Sequence, residues 1–391
     1  MSADSDVVIV GAGAVGSALA TALAVRGLNV AVIDGTDADS RTGETIRTSA
    51  LTNASCRWLS HHGLWPAPDV ETAALSALQI LDGDGRGRLR FEGRDLDSGH
   101  LGVIVRHGAF EAHLRARARK TVARWFQETA QGIRIDAAGA QVTVAGGQTL
   151  KAPLLIAADG ARSTLREQLG VPVWQHHYGQ MAITADMELG VAHEGVAWQR
   201  FLASGPIALL PLAGAQRASL IWSTARADAE RLLSLPDADF DAAVNAAFGS
   251  ELGRLAVASA RAGFPLTAAH AHRYVGSRFA LIGDAAHRVH PLAGQGVNLG
   301  LADAGTLAHN LIAARHQGRD LGALRVLRPY ERARKGDNLA MLAVTHLLNR
   351  AFPASGPWQR LLAVGLNVTD TLTPLKTLLM RQAGSLGDDP L

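Results

Sequence analysis

The chain has 391 residues, of which 48% are hydrophobic and 19% charged. That balance is globular rather than disordered, and the length predicts about two domains with ample core. A formal net charge of +3 is too small to argue nucleic-acid binding, and no Lys/Arg run interleaves with aromatics. The single cysteine, Cys56, excludes an internal disulfide framework and fits a reducing compartment. No CxxC or HExxH occurs, so the fifteen histidines predict no metal site. The first apolar run lacks a preceding basic region and contains glycines, unlike a signal peptide. No stretch reaches roughly 18 uninterrupted apolar residues, which argues against a transmembrane helix. The expected location is cytoplasmic.

Asp6-Val-Val-Ile-Val10 reads as a buried strand, followed at once by Gly11-Ala-Gly13-Ala14-Val15-Gly16 and a helix to about Arg26. A second strand, Val30 to Ile33, ends at Asp34. GxGxxG at a strand–helix junction predicts a dinucleotide-binding βαβ unit. Its glycines permit the turn and let backbone approach a pyrophosphate, which the helix N-terminus stabilises. Asp34 lies eighteen residues beyond Gly16, where an acidic side chain binds an adenosine ribose.

The stretch from Glu44 to Leu59 begins polar and predicts a helix through Arg47-Thr-Ser49-Ala50-Leu51 to Ser55. Arg47 is either a solvated surface charge or a fork-shaped donor to a pyrophosphate. Residues 76–95, with Gly83, Gly85 and Gly87, predict a hairpin. Ile104 to Lys120 opens with Arg106 and continues as a helix with Phe110, Leu114 and Ala118 on one face. Arg106 contacts either a cofactor or solvent.

From Gly132 to Lys151 the pattern is strand-like, with turns at Gly139 and Gly146-Gly147. Leu154 to Ala158 is another buried strand, ending in Asp159-Gly160. Ser163 and Arg166 then place a hydroxyl and a cation one helical turn apart. They suit phosphate or cofactor contacts, or Asp159 or Ser163 caps the helix.

Residues 173–268 change character. Gln180 to Met187, Ile207 to Leu212 and Ala218 to Ser223 read as strands of an antiparallel sheet, and Ala229 to Phe248 as one or two helices. Trp198, Phe201 and Trp222 are either core or candidate substrate walls. Phe279 to Ile282 is a further buried strand, broken by Gly283-Asp284. Pro291, Gly294 and Gly296 predict a tight loop, after which Leu301, Ala304, Leu307, Ala308 and Leu311 recur at helical spacing. This N-terminus favours an anionic group, and Asp284 suits sugar hydroxyls. Tyr330 to Phe352 and Trp358 to Met380 read as helical, interrupted by Pro353, Pro357 and Pro374. The apolar face of the last segment, bordered by Arg360, Lys376 and Arg381, lies either on the body or on a membrane surface.

Three motifs in order, Gly11-x-Gly13-x-x-Gly16, Asp159-Gly160 with Ser163 and Arg166, and Gly283-Asp284 running to Gly300, resemble the FAD-dependent aromatic-ring hydroxylases. Within that family the chain is most similar to the ubiquinone-biosynthesis hydroxylases of the UbiH/UbiF/UbiI type. The residues behind this are Arg47-x-Ser49-Ala50-Leu51, Tyr178-Gly179-Gln180, Gln199-Arg200-Phe201 with Gly205-Pro206 to Pro211-Leu212, and Gly283 to Gly300 with Asp303. The similarity spans essentially the whole chain.

The resemblance implies an α/β fold. A Rossmann-like FAD-binding domain (1–75, 96–172 and 269–345) is interleaved with an antiparallel-sheet substrate domain (76–95 and 173–268), before a C-terminal helical segment (346–391). It implies that Gly11, Gly13, Ala14, Val15 and Gly16 cradle the pyrophosphate and that Asp34 binds the ribose. Arg47, Ser49 and Arg106 would contact FAD, Asp159-Gly160 would serve FAD and a transient NADH or NADPH, and Asp284 would hold the ribityl chain. Pro291, Gly294, Gln295 and Gly296 would line the reacting flavin ring, with Val297 and Asn298 beside them. The chemistry implied is NAD(P)H reduction of FAD, capture of O2 and oxygen transfer from a flavin hydroperoxide to a prenylated phenol, a quinone precursor. No metal is implied. Peripheral contact with the inner membrane, a biosynthetic complex and a homo-oligomer are left open. The alternatives are a hydroxylase of a small soluble aromatic, an FAD-dependent isoprenoid reductase and a non-catalytic subunit. Intact glycines and Asp284 speak against the last.

Overall fold

Val7–Val10 and Leu154–Ala157 are short, continuously apolar strands with every residue buried, the pattern of strands covered on both faces. In the computed structural model they form the centre of a six-stranded sheet. The structure describes residues 4–35, 46–290, 295–351 and 370. Strand order in this sheet is Val275–Gly276, Phe279–Leu281, Leu154–Ala157, Val7–Val10, Val30–Ile33, Arg124–Phe126. All pairs are parallel except the first. The first helix, Ala14–Ala24, and the long helix Gly296–His316 pack on it. The residues read at helical spacing, Leu301, Ala304, Leu307, Ala308 and Leu311, are all buried there.

A second, nine-stranded sheet is mostly antiparallel. It includes Val173–Leu189, Arg217–Ala225, Gly205–Pro211 and Val196–Leu202, so the three strands expected from the sequence lie in one sheet. The hairpin of Ala77–Asp82 and Arg88–Glu92 joins it through a parallel pairing with Val196–Leu202. Helices Arg226–Ser234 and Asp237–Phe248 cover one face and close a separate core around Phe240, Val244 and Phe248. Trp222 and Phe201 are buried, and Trp198 packs against this same core. Trp222 thus belongs to the core and Trp198 borders it.

Between the two sheets lies a small three-stranded sheet of Thr48–Thr52, Gly102–Arg106 and Thr72–Leu75. Here the expected helix over 44–59 is corrected. Thr48–Thr52 is a strand, and the helix begins only at Asn53 and runs to His61. Pairing with Gly102–Arg106 along all five residues supplies the backbone partners that Ala50 and Leu51 would have found in a helix. Thr52 turns the chain into the helix by accepting from the Ser55 N–H. Residues 130–152 form a three-stranded meander with turns at the expected glycines.

The last described helix, Leu324–Ala351, contains Pro329. Leu327, Tyr330, Arg334, Asn338, Leu342 and Thr345 bury one face of it against the body. The expected segment from Trp358 to Met380 lies outside the described residues apart from Asp370, as do Pro291 and Gly294.

Candidate active site

The first turn of the helix Ala14–Ala24 meets the helix Gly296–His316 where Val15 packs against Gly300. Gly11 adopts φ +101°, and an added Cβ there would stand 2.3 Å from the Ala158 carbonyl oxygen. At Gly16 it would stand 2.1 Å from the Gly11 oxygen, and at Gly300 2.4 Å from Val15 Cγ2. These glycines serve close packing. Gly13, Gly160 and Gly296 differ. Nothing lies within 4 Å of an added Cβ at Gly160 or Gly296, and at Gly13 the nearest atom is Glu111 Oε2 at 3.9 Å. The open glycines thus stand at both helix N-termini and beside Asp159.

Among the described residues, neither N-terminus has a side-chain cap. The N-caps, Gly13 and Gln295, make no side-chain capping bond, and neither first turn holds an acidic residue. Uncapped N–H groups facing open glycine surfaces suit the anionic pyrophosphate and the electron-rich ring edge of FAD. The cradle fits that cofactor.

Asn298 ties the second N-terminus to the three-stranded sheet. Its Nδ2 donates to the Ala50 carbonyl at 2.7 Å, and its Oδ1 accepts from the Thr52 N–H at 3.0 Å and the Ser55 hydroxyl at 2.8 Å. Asn298 therefore ties the strand Thr48–Thr52 and the helix that follows it to the start of the long helix. Val297 packs partly buried against the cluster of Leu51, Val105 and Phe110. Ser49 bonds His107 Nδ1 at 2.9 Å, and the Arg47 guanidinium lies over the Phe264 ring, 5.2 Å from its centroid.

Asp34 is buried at the end of its strand and ion-pairs with Arg115 at 3.2 Å. Arg115 also donates to the Ala12 carbonyl and to Glu111 Oε1 at 3.0 Å, joining the ribose position to the glycine loop. Sequence reading missed Glu111 and Arg115. Their signal was the i,i+4 spacing of His107, Glu111 and Arg115 on the helix His107–Thr121.

Arg106 is committed elsewhere. Its guanidinium makes a two-point pair with the Asp186 carboxylate, at 2.7 and 2.5 Å, joining the small sheet to the nine-stranded one. The hydrogen bond to Asp186 pushes its pKa upward and outweighs the lowering effect of burial. Ser163 and Arg166 are likewise structural. Ser163 caps the helix Thr164–Gln168, and buried Arg166 donates to the Ala285 carbonyl at 3.0 Å. Asp159 accepts from the Ser163 hydroxyl and the Leu165 N–H, yet burial pushes its carboxyl upward overall.

Gly283 takes φ +58° and turns the chain after Phe279–Leu281, leaving Asp284 exposed at the rim. The turn is held from beneath by fully buried Asp303. This carboxylate accepts from the Gly283 N–H at 3.0 Å, His287 Nε2 at 2.5 Å, Arg334 Nε at 3.1 Å and Asn338 Nδ2 at 3.3 Å. Burial alone would raise the Asp303 pKa, but His287 and Arg334 outweigh it and hold the carboxyl low. His287 is thus spent on a structural carboxylate. His290, fully buried, makes a 3.3 Å contact with Gln180 Oε1, and burial pushes its pKa down to about 4. Beside Asp284 a cavity of about 180 Å³ is flanked by Arg162, His177 and Arg288. Among the described residues no cluster of three His, Cys, Asp or Glu side chains can hold a metal ion.

The family model described as "FAD binding domain" matches residues 4–337. Ubiquinone hydroxylase UbiL of Rhodospirillum rubrum is 38% identical, aligned over 99% of this chain and 91% of its own length. The human mitochondrial ubiquinone biosynthesis monooxygenase COQ6 is 34% identical over 96% of this chain and 91% of its own. Among solved structures, p-nitrophenol 4-monooxygenase PnpA from Pseudomonas putida superposes with a TM-score of 0.80 over all of both chains at 18% identity, a likeness of fold. With its glycine cradle intact, this chain belongs to the FAD binding domain family, as an FAD-dependent monooxygenase of the ubiquinone-biosynthesis hydroxylase branch.

Proposed function

We propose that this protein hydroxylates the aromatic ring of a polyprenylated phenol, a quinone precursor in ubiquinone biosynthesis. The observation that carries the reading is the whole-chain similarity to the UbiL hydroxylase, beside the open glycines Gly13, Gly160 and Gly296 of this chain. FAD, when bound, supplies the redox chemistry that joins NAD(P)H oxidation to O2 reduction and delivers one oxygen atom to the ring. The overall change balances: an aromatic C–H, O2, NAD(P)H and a proton give an aromatic hydroxyl, water and NAD(P)+.

The chain's own part is binding, orientation and exclusion of water. Gly13, Ala14, Val15 and Gly16 would hold the pyrophosphate, and Asp34, fixed by Arg115, the ribose. Asp284 would hold the ribityl chain, and the N–H groups from Gly296 onward would face the flavin ring and stabilise negative charge on it. Pro291, Gly294 and Gln295 complete that wall in this reading. Arg162 and Arg288 beside the Asp284 cavity suit the phosphates of a transient NADH or NADPH. We read the six-stranded sheet with its helices as the FAD-binding domain and the nine-stranded sheet as the substrate domain.

No described helix is long and apolar enough to cross a membrane. Leu339, Val344 and Leu347, exposed on one helix, support a peripheral contact with the inner membrane, where a prenylated substrate resides.

The test uses FAD-loaded protein. NAD(P)H oxidation and O2 uptake are followed with and without a short-chain prenylphenol. Phenol-stimulated uptake supports the hydroxylase. Phenol turnover without O2 consumption would replace it with a reductase, and failure to bind FAD would overturn it.

A further inference from the structure

The helix Leu324–Ala351 buries one face against the body and leaves the opposite face bare as far as Leu347. Exposed side chains recur along it at Arg325, Arg328, Arg332, Leu339, Ala343 and Leu347. These steps of three, four and seven residues put them in one stripe. The stripe changes chemistry halfway: its first half is cationic and its second half is apolar.

No carboxylate balances the cationic half. Among the described residues, none of Arg325, Arg328 and Arg332 has an ion-pair or hydrogen-bond partner. The two acids of this helix are committed elsewhere. Glu331 Oε1 accepts from the Tyr274 N–H at 2.7 Å, and Asp337 Oδ2 accepts from Arg334 at 2.8 Å. The apolar half is joined by Trp174, which shares a groove lining with Lys335 and Leu339 and is 44% exposed. Six large hydrophobic side chains are exposed among the described residues, and Trp174, Leu339, Val344 and Leu347 bring four of them to this one surface. Single exposed leucines need no explanation, but a patch of four continued by unpaired cations does.

We infer that the bare face of this helix docks on an anionic phospholipid surface, with Leu339, Val344 and Leu347 at the acyl boundary and Arg325, Arg328 and Arg332 on headgroup phosphates. Trp, Leu and Val beside Lys and Arg is the mixture that settles at the headgroup level of a bilayer. This docking, which rests on the peripheral contact proposed above, selects bilayers by their charge. A second copy of the chain matches the face less well. Antiparallel pairing of two such helices sets arginines on leucines, parallel pairing sets arginine on arginine, and neither supplies an acid.

The test floats FAD-loaded protein with vesicles of phosphatidylcholine alone, or of phosphatidylcholine with about one-third phosphatidylglycerol, at low and physiological salt. Wild-type protein is expected to bind the anionic vesicles about ten-fold or more tightly, a preference that shrinks as salt rises. Arg325→Gln, Arg328→Gln and Arg332→Gln are each expected to lower that affinity about five-fold, and the three together roughly a hundred-fold, with little change on neutral vesicles. Leu347→Glu is expected to weaken binding to both compositions. Arg254→Gln, exposed just before the strand Leu255–Val257 of the nine-stranded sheet, is expected to change neither. All five positions are exposed, and retained FAD reports that each variant is folded. Equal binding to both compositions, unchanged in the triple variant, would overturn the recognition of anionic lipid and leave the peripheral contact standing. Binding to neither would overturn both, while the O2-uptake assay above still tests the hydroxylase by itself. Equal losses in Arg254→Gln and the single arginine variants of the helix would reduce the attraction to overall charge and overturn the site. A dimer that Leu347→Glu dissociates, without vesicle binding, would give the face to a second copy instead.

Discussion

Val15 fills the space that Gly300 leaves by lacking a side chain: a Cβ on Gly300 would stand 2.4 Å from Val15 Cγ2. The first helix and the long helix therefore approach through one branched side chain and one bare backbone, with Gly283 against the same valine. This contact sets how far apart the two uncapped N-termini lie. Gly300→Ala is expected to cost about 1–3 kcal/mol of stability by overpacking and to weaken FAD binding. Val15→Ala in the same chain is expected to restore much of both. Denaturant titration and FAD titration of the single and double variants check this, and strictly additive losses would count against the contact.

Asp303 is the second fixed point, because it satisfies the Gly283 N–H while the Arg334 guanidinium and the His287 ring are buried on it. Asp303→Asn keeps an acceptor for Gly283 but leaves buried Arg334 with only the half-exposed carboxylate of Asp337. The expected loss is roughly 3–5 kcal/mol, the usual cost of removing one partner of a buried pair. Urea unfolding measures it, and a loss below about 1 kcal/mol would show that the network is not holding the turn.

The legible parts of the sequence were those with a strong local period. Val7–Val10 with its glycine turn, the Phe110–Leu114–Ala118 face and the helix after Gly296 all rest on apolar spacing that packing then honours. Thr48–Thr52 escaped because Thr-Ser-Ala-Leu-Thr carries no clear period, and Ala and Leu favour helix until a distant strand pairs with them. The site was legible as glycines and acids, since those residue types are needed at fixed offsets from a strand end. Pairing across elements was not. Nothing local says that Arg106 meets Asp186, 80 residues away, or that Asp34 meets Arg115. Ser163 and Arg166 carried the right chemistry for a phosphate but became a helix cap and a buried donor to Ala285.

The Arg106–Asp186 pair separates a strut between sheets from a cofactor contact. Arg106→Lys loses the two-point geometry, and Asp186→Asn loses the charge. Each is expected to lower stability by about 2–3 kcal/mol, with the double variant little worse than either single one. FAD affinity is expected to stay within about three-fold, a shift below 1 kcal/mol. Loss of FAD binding in Arg106→Lys but not in Asp186→Asn would return Arg106 to the cofactor.

Buried His290 and His270, both pushed down to about 4, give the protein an acid-side weakness. Their unfolded pKa is near 6.5, so between about 4 and 6.5 the unfolded chain binds more protons than the folded one. Stability therefore rises with pH across that window and falls as pH drops through it, by at most roughly 1.4 kcal/mol per pH unit per histidine. His290→Gln removes one titrating group. Its thermal midpoint is expected to drop less between pH 7 and pH 5 than that of the wild type, whereas parallel curves would contradict the assignment.

The most direct test of the central claim is the fate of oxygen. FAD-loaded protein is turned over with NAD(P)H and a short-chain prenylphenol under 18O2, and the product is analysed by mass spectrometry. The expected product carries one labelled oxygen on the aromatic ring. An unlabelled product, or consumption of O2 with the phenol returned unchanged, would contradict it.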